Sequence, residues 1–169
     1  NARIIPIRRA LISVSDKHNL IDLGKFLEHL GVDLVSTGGT ARFLKKEGLS
    51  VKEVSELTGF PEILNGRVKT LHPKIHAPIL FDRDDNSSVK ELKKIDANAI
   101  DLVIVNLYPF ETFLKGKAST KKDLIENIDM GGVALMRAAA KNFDHVMVIS
   151  DPADYIDLKR ELINFQGCT

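Results

Sequence analysis

The residues able to do chemistry gather in five short stretches, and the most charged of them is GRVKTLHPKIH, residues 66–76. It sets Arg67, Lys69, His72, Lys74 and His76 within eleven positions. On an extended backbone Arg67 and Lys69 share one side while Val68 and Thr70 take the other, which suits one compact anion better than a long polyanion. His72 and His76 have the i, i+4 spacing of some zinc sites. Pro73 between them and Pro78 after them argue against the helix such a pair needs, so no metal site is expected. The bland reading of the segment is a solvated basic loop.

STGGT, residues 36–40, puts Gly38 and Gly39 where a strand passes into a helix. Backbone N–H groups there can approach an anion at the positive helix end, with Thr37 and Thr40 adding hydroxyls. A plain tight turn with Thr40 as N-cap is the alternative. SVSDK, residues 13–17, ends another strand on the same edge with Ser15, Asp16 and Lys17, which strengthens the phosphate reading. IDMGGVALMRAAAKN, residues 128–142, places Asp129 and Met130 before the pair Gly131 and Gly132, with Arg137 and Lys141 later on one helix face. A carboxylate, a lysine and free amides can together move a proton and stabilise an oxyanion; an N-cap aspartate with two surface cations is the commoner outcome. NLYPF, residues 106–110, brings Asn106 and Tyr108 to the end of an apolar strand. A buried tyrosine with one hydrogen bond is the usual explanation of such a residue.

Composition limits the partners. With 24 Lys and Arg against 23 Asp and Glu the net charge is +1, so the basic stretch is local and neither a nucleic acid nor a membrane surface is expected. A single cysteine, Cys168, excludes an internal disulfide framework and a multi-cysteine metal site. The chain has no apolar run long enough to cross a membrane and no signal-peptide stretch, and a cytoplasmic location is expected.

The elements that must position these residues alternate. RALISVS (9–15), VDLVST (32–37), SVKEVSEL (50–57), IDLVIVNLY (100–108) and HVMVIS (145–150) read as strands. Between them fall helices over 20–30, 41–49, 89–95, the segment after Ser119 and Thr120, 133–142, and one capped by Asp151 and Pro152. Residues 58–81 read as a long ordered loop, because Gly59, Pro61, Gly66, Pro73 and Pro78 interrupt it while Ile63, Leu64, Leu71 and Ile79 can anchor it. The expected fold is a single α/β domain over 1–169, three layers deep, with a mostly parallel sheet and its functional groups at the carboxyl ends of the strands.

SVSDK, STGGTARFL, TGFPEILNGRVKTLHPKIH, DLVIVNLYPF and ENIDMGGVALMRAAAKN, followed by DPADY, occur in one order. In that order the chain resembles the IMP cyclohydrolase domain of the bifunctional purine biosynthesis enzyme, from about residue 9 to 162. STGGT by itself is shared with methylglyoxal synthase and the allosteric domain of carbamoyl phosphate synthetase; the GRVKTLHPKIH, NLYPF and GGVALMRAAAKN blocks are more specific. The resemblance implies a methylglyoxal-synthase-like fold. It also implies closure of 5-formamidoimidazole-4-carboxamide ribotide to IMP with loss of water, without metal or redox cofactor. Ser15, Lys17, Thr37, Gly38, Gly39 and Thr40 would hold the 5'-phosphate end. Arg67, Lys69 and Thr70 match the substrate-binding run, with Lys69 polarising or protonating the formyl oxygen. Tyr108, Asp129 and Lys141 match the other catalytic positions, Asp129 and Lys141 as a proton-handling pair. Asn106 and Gly132 complete the substrate set, and the Met130 and Gly131 amides would form the oxyanion site.

Implied partners are a small purine ribonucleotide, a second copy in a homodimer, and, in the full-length protein, a covalently linked transformylase domain that carries the folate site and is absent from these residues. Pro78 stands where the family has glycine, and His18-Asn19 where it has Thr-Gly. A methylglyoxal-synthase-like lyase and a non-catalytic nucleotide-sensing module are the rival readings.

Overall fold

The computed structural model describes residues 4–107 and 120–168. Five strands, β1 (Arg9–Val14), β2 (Asp33–Ser36), β3 (Val51–Glu53), β4 (Leu102–Asn106) and β5 (Met147–Ile149), form one sheet in the order β3-β2-β1-β4-β5. Every pair is parallel, with Leu11 opposite Val35 on one side and Val103 on the other.

Successive side chains of a strand point to opposite faces, and both faces are covered. Ala10, Ile12 and Val14 of β1, with Leu34, Leu102 and Ile104, pack under α1 (Leu20–His29), α2 (Gly38–Lys46) and the last helix, α8 (Tyr155–Phe165). Leu11, Val35, Val103 and Val105 pack on the other side, against α3 (Val54–Thr58), α4 (Pro73–Leu80) and α7 (Gly131–Lys141). The expected α/β/α layering is therefore present. α5 (Asn86–Lys94) and α6 (Lys121–Glu126) complete the described helices. At the amino edge of the sheet the buried Asp101 carboxylate accepts from the Arg8 and Arg9 amides and from Arg83, tying the starts of β1 and β4 together.

Three elements differ from the sequence reading. β3 stops at Glu53, because Glu53 and Glu56 form a capping box that turns VSELT into α3. α2 begins at Gly38, so the glycine pair is its first turn rather than the approach to it. The supposed loop 58–81 contains α4: the His72 ring accepts from the Lys74 amide as N-cap, Pro73 takes the first position, and Pro78 lies inside, buried with Ile75 and Ile79. Pro73 suits a helix start, where its missing N–H has no intrahelical partner to lose. One absent bond at Pro78 is tolerated in a short helix held by its buried face. His72 and His76 do lie on one helix, but the His72 Nδ1 is occupied by the cap.

Candidate active site

The carboxyl ends of β1, β2 and β4 and the starts of α2 and α7 surround a cleft of about 370 Å³. That volume lies within the range of small-molecule pockets. Its lining includes Ser15, Lys17, Thr37, Gly39, Thr40, Arg67, Lys69, Thr70, Asn106, Asp129, Met130, Gly131 and Gly132, residues that lie up to 119 positions apart in the chain but were singled out together (positions 13 to 132 bound the lining).

One wall is the start of α2. Thr37 is extended and its carbonyl takes the Thr40 and Ala41 amides, so the first-turn amides of Gly38 and Gly39 have no intrahelical acceptor. They point at the cleft as anion donors. The Thr40 hydroxyl has a different task from the one expected: buried, it donates to the Val14 carbonyl at 3.0 Å and pins α2 to the end of β1.

Asn106 also acts on the scaffold. Its Oδ1 accepts from the Ser15 amide at 2.7 Å, the Ser15 hydroxyl at 3.1 Å and the Asp16 amide at 2.9 Å, while its Nδ2 donates to the Asp16 carbonyl at 3.0 Å. The β1–α1 turn is thereby held at the cleft, and the Ser15 hydroxyl donates to the Leu107 carbonyl at 2.9 Å. Lys17 reaches back to the Ser15 carbonyl at 3.4 Å with its ammonium 5.9 Å from the Phe43 ring centre.

The opposite wall is the start of α7. Asp129 Oδ1 accepts from the Gly132 amide at 2.7 Å, so the carboxylate is oriented by the helix start and its second oxygen remains for other work. Thr70, buried, presses against Gly131 so closely that a Cβ there would meet its Oγ1 at 2.6 Å. Only glycine permits this approach.

The basic segment enters between the two walls, and it is wound rather than extended. Turns join Gly66 to Lys69, Val68 to Leu71 and Thr70 to His72. Arg67 and Lys69 consequently take separate acidic partners. Arg67 forms an ion pair with Glu126 of α6, and Lys69 Nζ lies 3.6 Å from Glu62. Sequence reading missed both glutamates. Glu62 lay within the motif TGFPEILNGR but carries no signature of its own, and Glu126 is 59 positions from Arg67.

Three expected residues are not among that lining. Gly38 lines a neighbouring cavity of about 260 Å³ that also contains Thr37 and Lys69. Tyr108 lies outside the described residues. Lys141 is exposed at the last turn of α7, roughly 15 Å along the axis from Gly131 at 1.5 Å per residue. The Asp129 and Lys141 pair is thus separated by the length of a helix within this chain. Among the described residues a group with metal-ligand spacing is Asp82, Asp84 and His145, which precedes β5 at the amino edge of the sheet, away from the cleft.

Comparison with known proteins agrees with this geometry. The bifunctional purine biosynthesis protein PurH of Elusimicrobium minutum is 55% identical over 162 residues, which cover 95% of this chain and 31% of that protein. The PurH of a Ruegeria species is 53% identical over 164 residues, 97% of this chain and 31% of that protein. The chain thus spans about 31% of the length of these curated relatives. Among solved structures, ForH superposes with a TM-score of 0.82 at 37% identity, covering 96% of this chain and 83% of that one. The strand order, the glycine-opened α2 and the cleft wall at α7 fall inside or beside residues 19–134, which match the MGS-like domain, and the chain belongs to that family.

Proposed function

We propose that this cleft closes 5-formamidoimidazole-4-carboxamide ribotide to IMP with loss of water. The observation that carries the proposal is the facing of two glycine-opened helix starts, α2 and α7, with Lys69 entering between them. One start suits a terminal phosphate; the other suits a developing oxyanion. PurH relatives that cover nearly all of this chain support the same substrate.

In this reading the Gly38 and Gly39 amides, Ser15, Lys17 and Thr37 receive the 5'-phosphate, and Arg67 and Thr70 hold the body of the nucleotide. The carboxamide nitrogen attacks the formyl carbon and forms the new C–N bond. Its proton passes to the outer oxygen of Asp129, and Lys69 gives a proton to the formyl oxygen beside the α7 amides. The resulting carbinolamine then dehydrates. Asp129 returns its proton to the hydroxyl, which leaves as water, while the former formamide N–H proton goes to Lys69. Both residues end in their starting states, and one water is released. Attack is intramolecular, so holding one rotamer of the formamide against the carboxamide supplies much of the acceleration.

The test is conversion of the formamido ribotide by this chain, followed by absorbance, beside Lys69→Ala and Asp129→Ala proteins checked for folding. Each substitution should lower kcat by about 10²-fold or more if the group handles a proton in the rate-limiting step. Binding of IMP with no rate above spontaneous cyclisation would make the domain a binding module. Methylglyoxal formed from dihydroxyacetone phosphate would revive the lyase.

A further inference from the structure

Lys69 stands on the partition between the substrate cleft and the second cavity, and Glu62 approaches it from the far side. A Cβ placed on Gly38 would meet Lys69 Nζ at 2.9 Å and Glu62 Oε1 at 3.6 Å. A Cβ on Gly66 would meet Glu62 Oε1 at 3.0 Å. The carboxylate is therefore lodged between the first residue of α2 and the turn that leads into the basic segment. Both glycines have positive φ, 46° at Gly38 and 80° at Gly66.

This places the ammonium directly over the anion-binding start of α2. A bound phosphate dianion there would attract Lys69 more strongly than a formyl oxygen would, since Coulomb energy follows charge over distance. A lysine drawn onto the phosphate tightens binding in ground state and transition state alike and leaves the reacting carbonyl without its acid. An opposing carboxylate outside the cleft prevents that collapse. We propose that Glu62 is a positioning residue: its carboxylate draws the Lys69 ammonium away from the phosphate at the α2 start and keeps it available to the reacting carbonyl. The inference rests on the cyclohydrolase reading for its catalytic half only.

Two measurements on Glu62→Gln and Glu62→Asp proteins separate the possibilities. The first is affinity for inorganic phosphate and for IMP by calorimetry, which needs no turnover. The second is kcat and KM for the formamido ribotide. Glu62→Gln should bind phosphate a few-fold more tightly, as expected for one released charge near an anion. Its kcat should fall about tenfold while KM falls or stays level, the pattern of a lost transition-state interaction. Glu62→Asp, which keeps the charge, should recover most of kcat. A structural role alone would weaken phosphate binding and kcat together, and that outcome overturns the proposal. Unchanged phosphate affinity in Glu62→Gln overturns it as well. If the parent protein turns nothing over, the cyclohydrolase reading fails, whereas the phosphate measurement still decides whether Glu62 restrains Lys69.

Discussion

Asn106 shows how a side chain can serve a binding site without facing the ligand. Its amide closes four hydrogen bonds with Ser15 and Asp16, so the turn that follows β1 has one conformation before any phosphate arrives. Asn106→Ala should therefore raise KM for the nucleotide about tenfold while changing kcat less, because ordering of the turn must then accompany binding. It should also lower stability by about 1–2 kcal/mol, measured by urea unfolding, for the loss of a partly buried network. Equal losses in kcat and kcat/KM would instead place Asn106 against the reacting atoms. Its position at the strand end was legible from NLYPF, but its task was not. The partners lie 90 to 92 positions away, on a turn whose path depends on the β1–β4 pairing.

At the scale of elements, the cleft depends on two close approaches, α2 to β1 and α7 to Thr70. Gly131→Ala puts a methyl group 2.6 Å from the Thr70 hydroxyl, so Thr70 or the helix must move. The expected cost is about 1–3 kcal/mol in unfolding free energy, with substrate affinity reduced because Thr70 lines the cleft. Unchanged stability would show that α7 can shift without cost. α4 is the element that sequence reading missed, since two prolines argued for a loop. The deciding facts were positional: Pro73 falls at the first helical residue, and the apolar residues Ile75 and Ile79 lie one turn apart on the buried face. α4 also gives the domain an acid sensitivity. His76 is half-buried, its Nε2 has no hydrogen-bond partner, and burial lowers its pKa from 6.5, with a backbone hydrogen bond from Thr70 opposing the shift only in part. A lowered histidine pKa means that the unfolded chain binds the proton more readily than the folded one. Stability is then unaffected well above pH 6.5 and declines as pH falls below it, until the folded-state value is passed. Urea midpoints between pH 7.5 and 5.5 should fall in the parent and fall less in His76→Gln. Parallel profiles would assign the acid sensitivity to other groups.

At the scale of the whole molecule the fold is a sheet whose alternate residues feed two separate cores, and this was the most legible feature of the sequence. Apolar runs such as LVIV, buried on both faces, admit few arrangements other than a strand between helical layers. What could not be read was closure of the domain, because that depends on a contact between segments 163 positions apart. Ile5 donates from its amide to the Cys168 carbonyl at 2.7 Å, and the Cys168 amide returns a bond to the Ile5 carbonyl at 2.9 Å. This antiparallel bridge carries the Cys168 side chain into the core shared by β1, α1 and α8, where it is fully buried. Burial pushes its thiol up to about 12, with Glu161 adding to the shift, so the reactive thiolate is scarce in the folded state. The thiol therefore reports on whether the bridge opens by itself or only with the whole domain. If bridge and core are one cooperative unit, labelling by an alkylating reagent at pH 8 should be slowed by at least about 10²-fold relative to the unfolded chain, and its urea dependence should follow global unfolding. Fast labelling in the absence of urea would mean that the two segments fray together, independently of the sheet. The cleft lies at the other end of α7 and the β1–α1 turn from this bridge's partners, so substrate turnover should then survive conditions that expose Cys168.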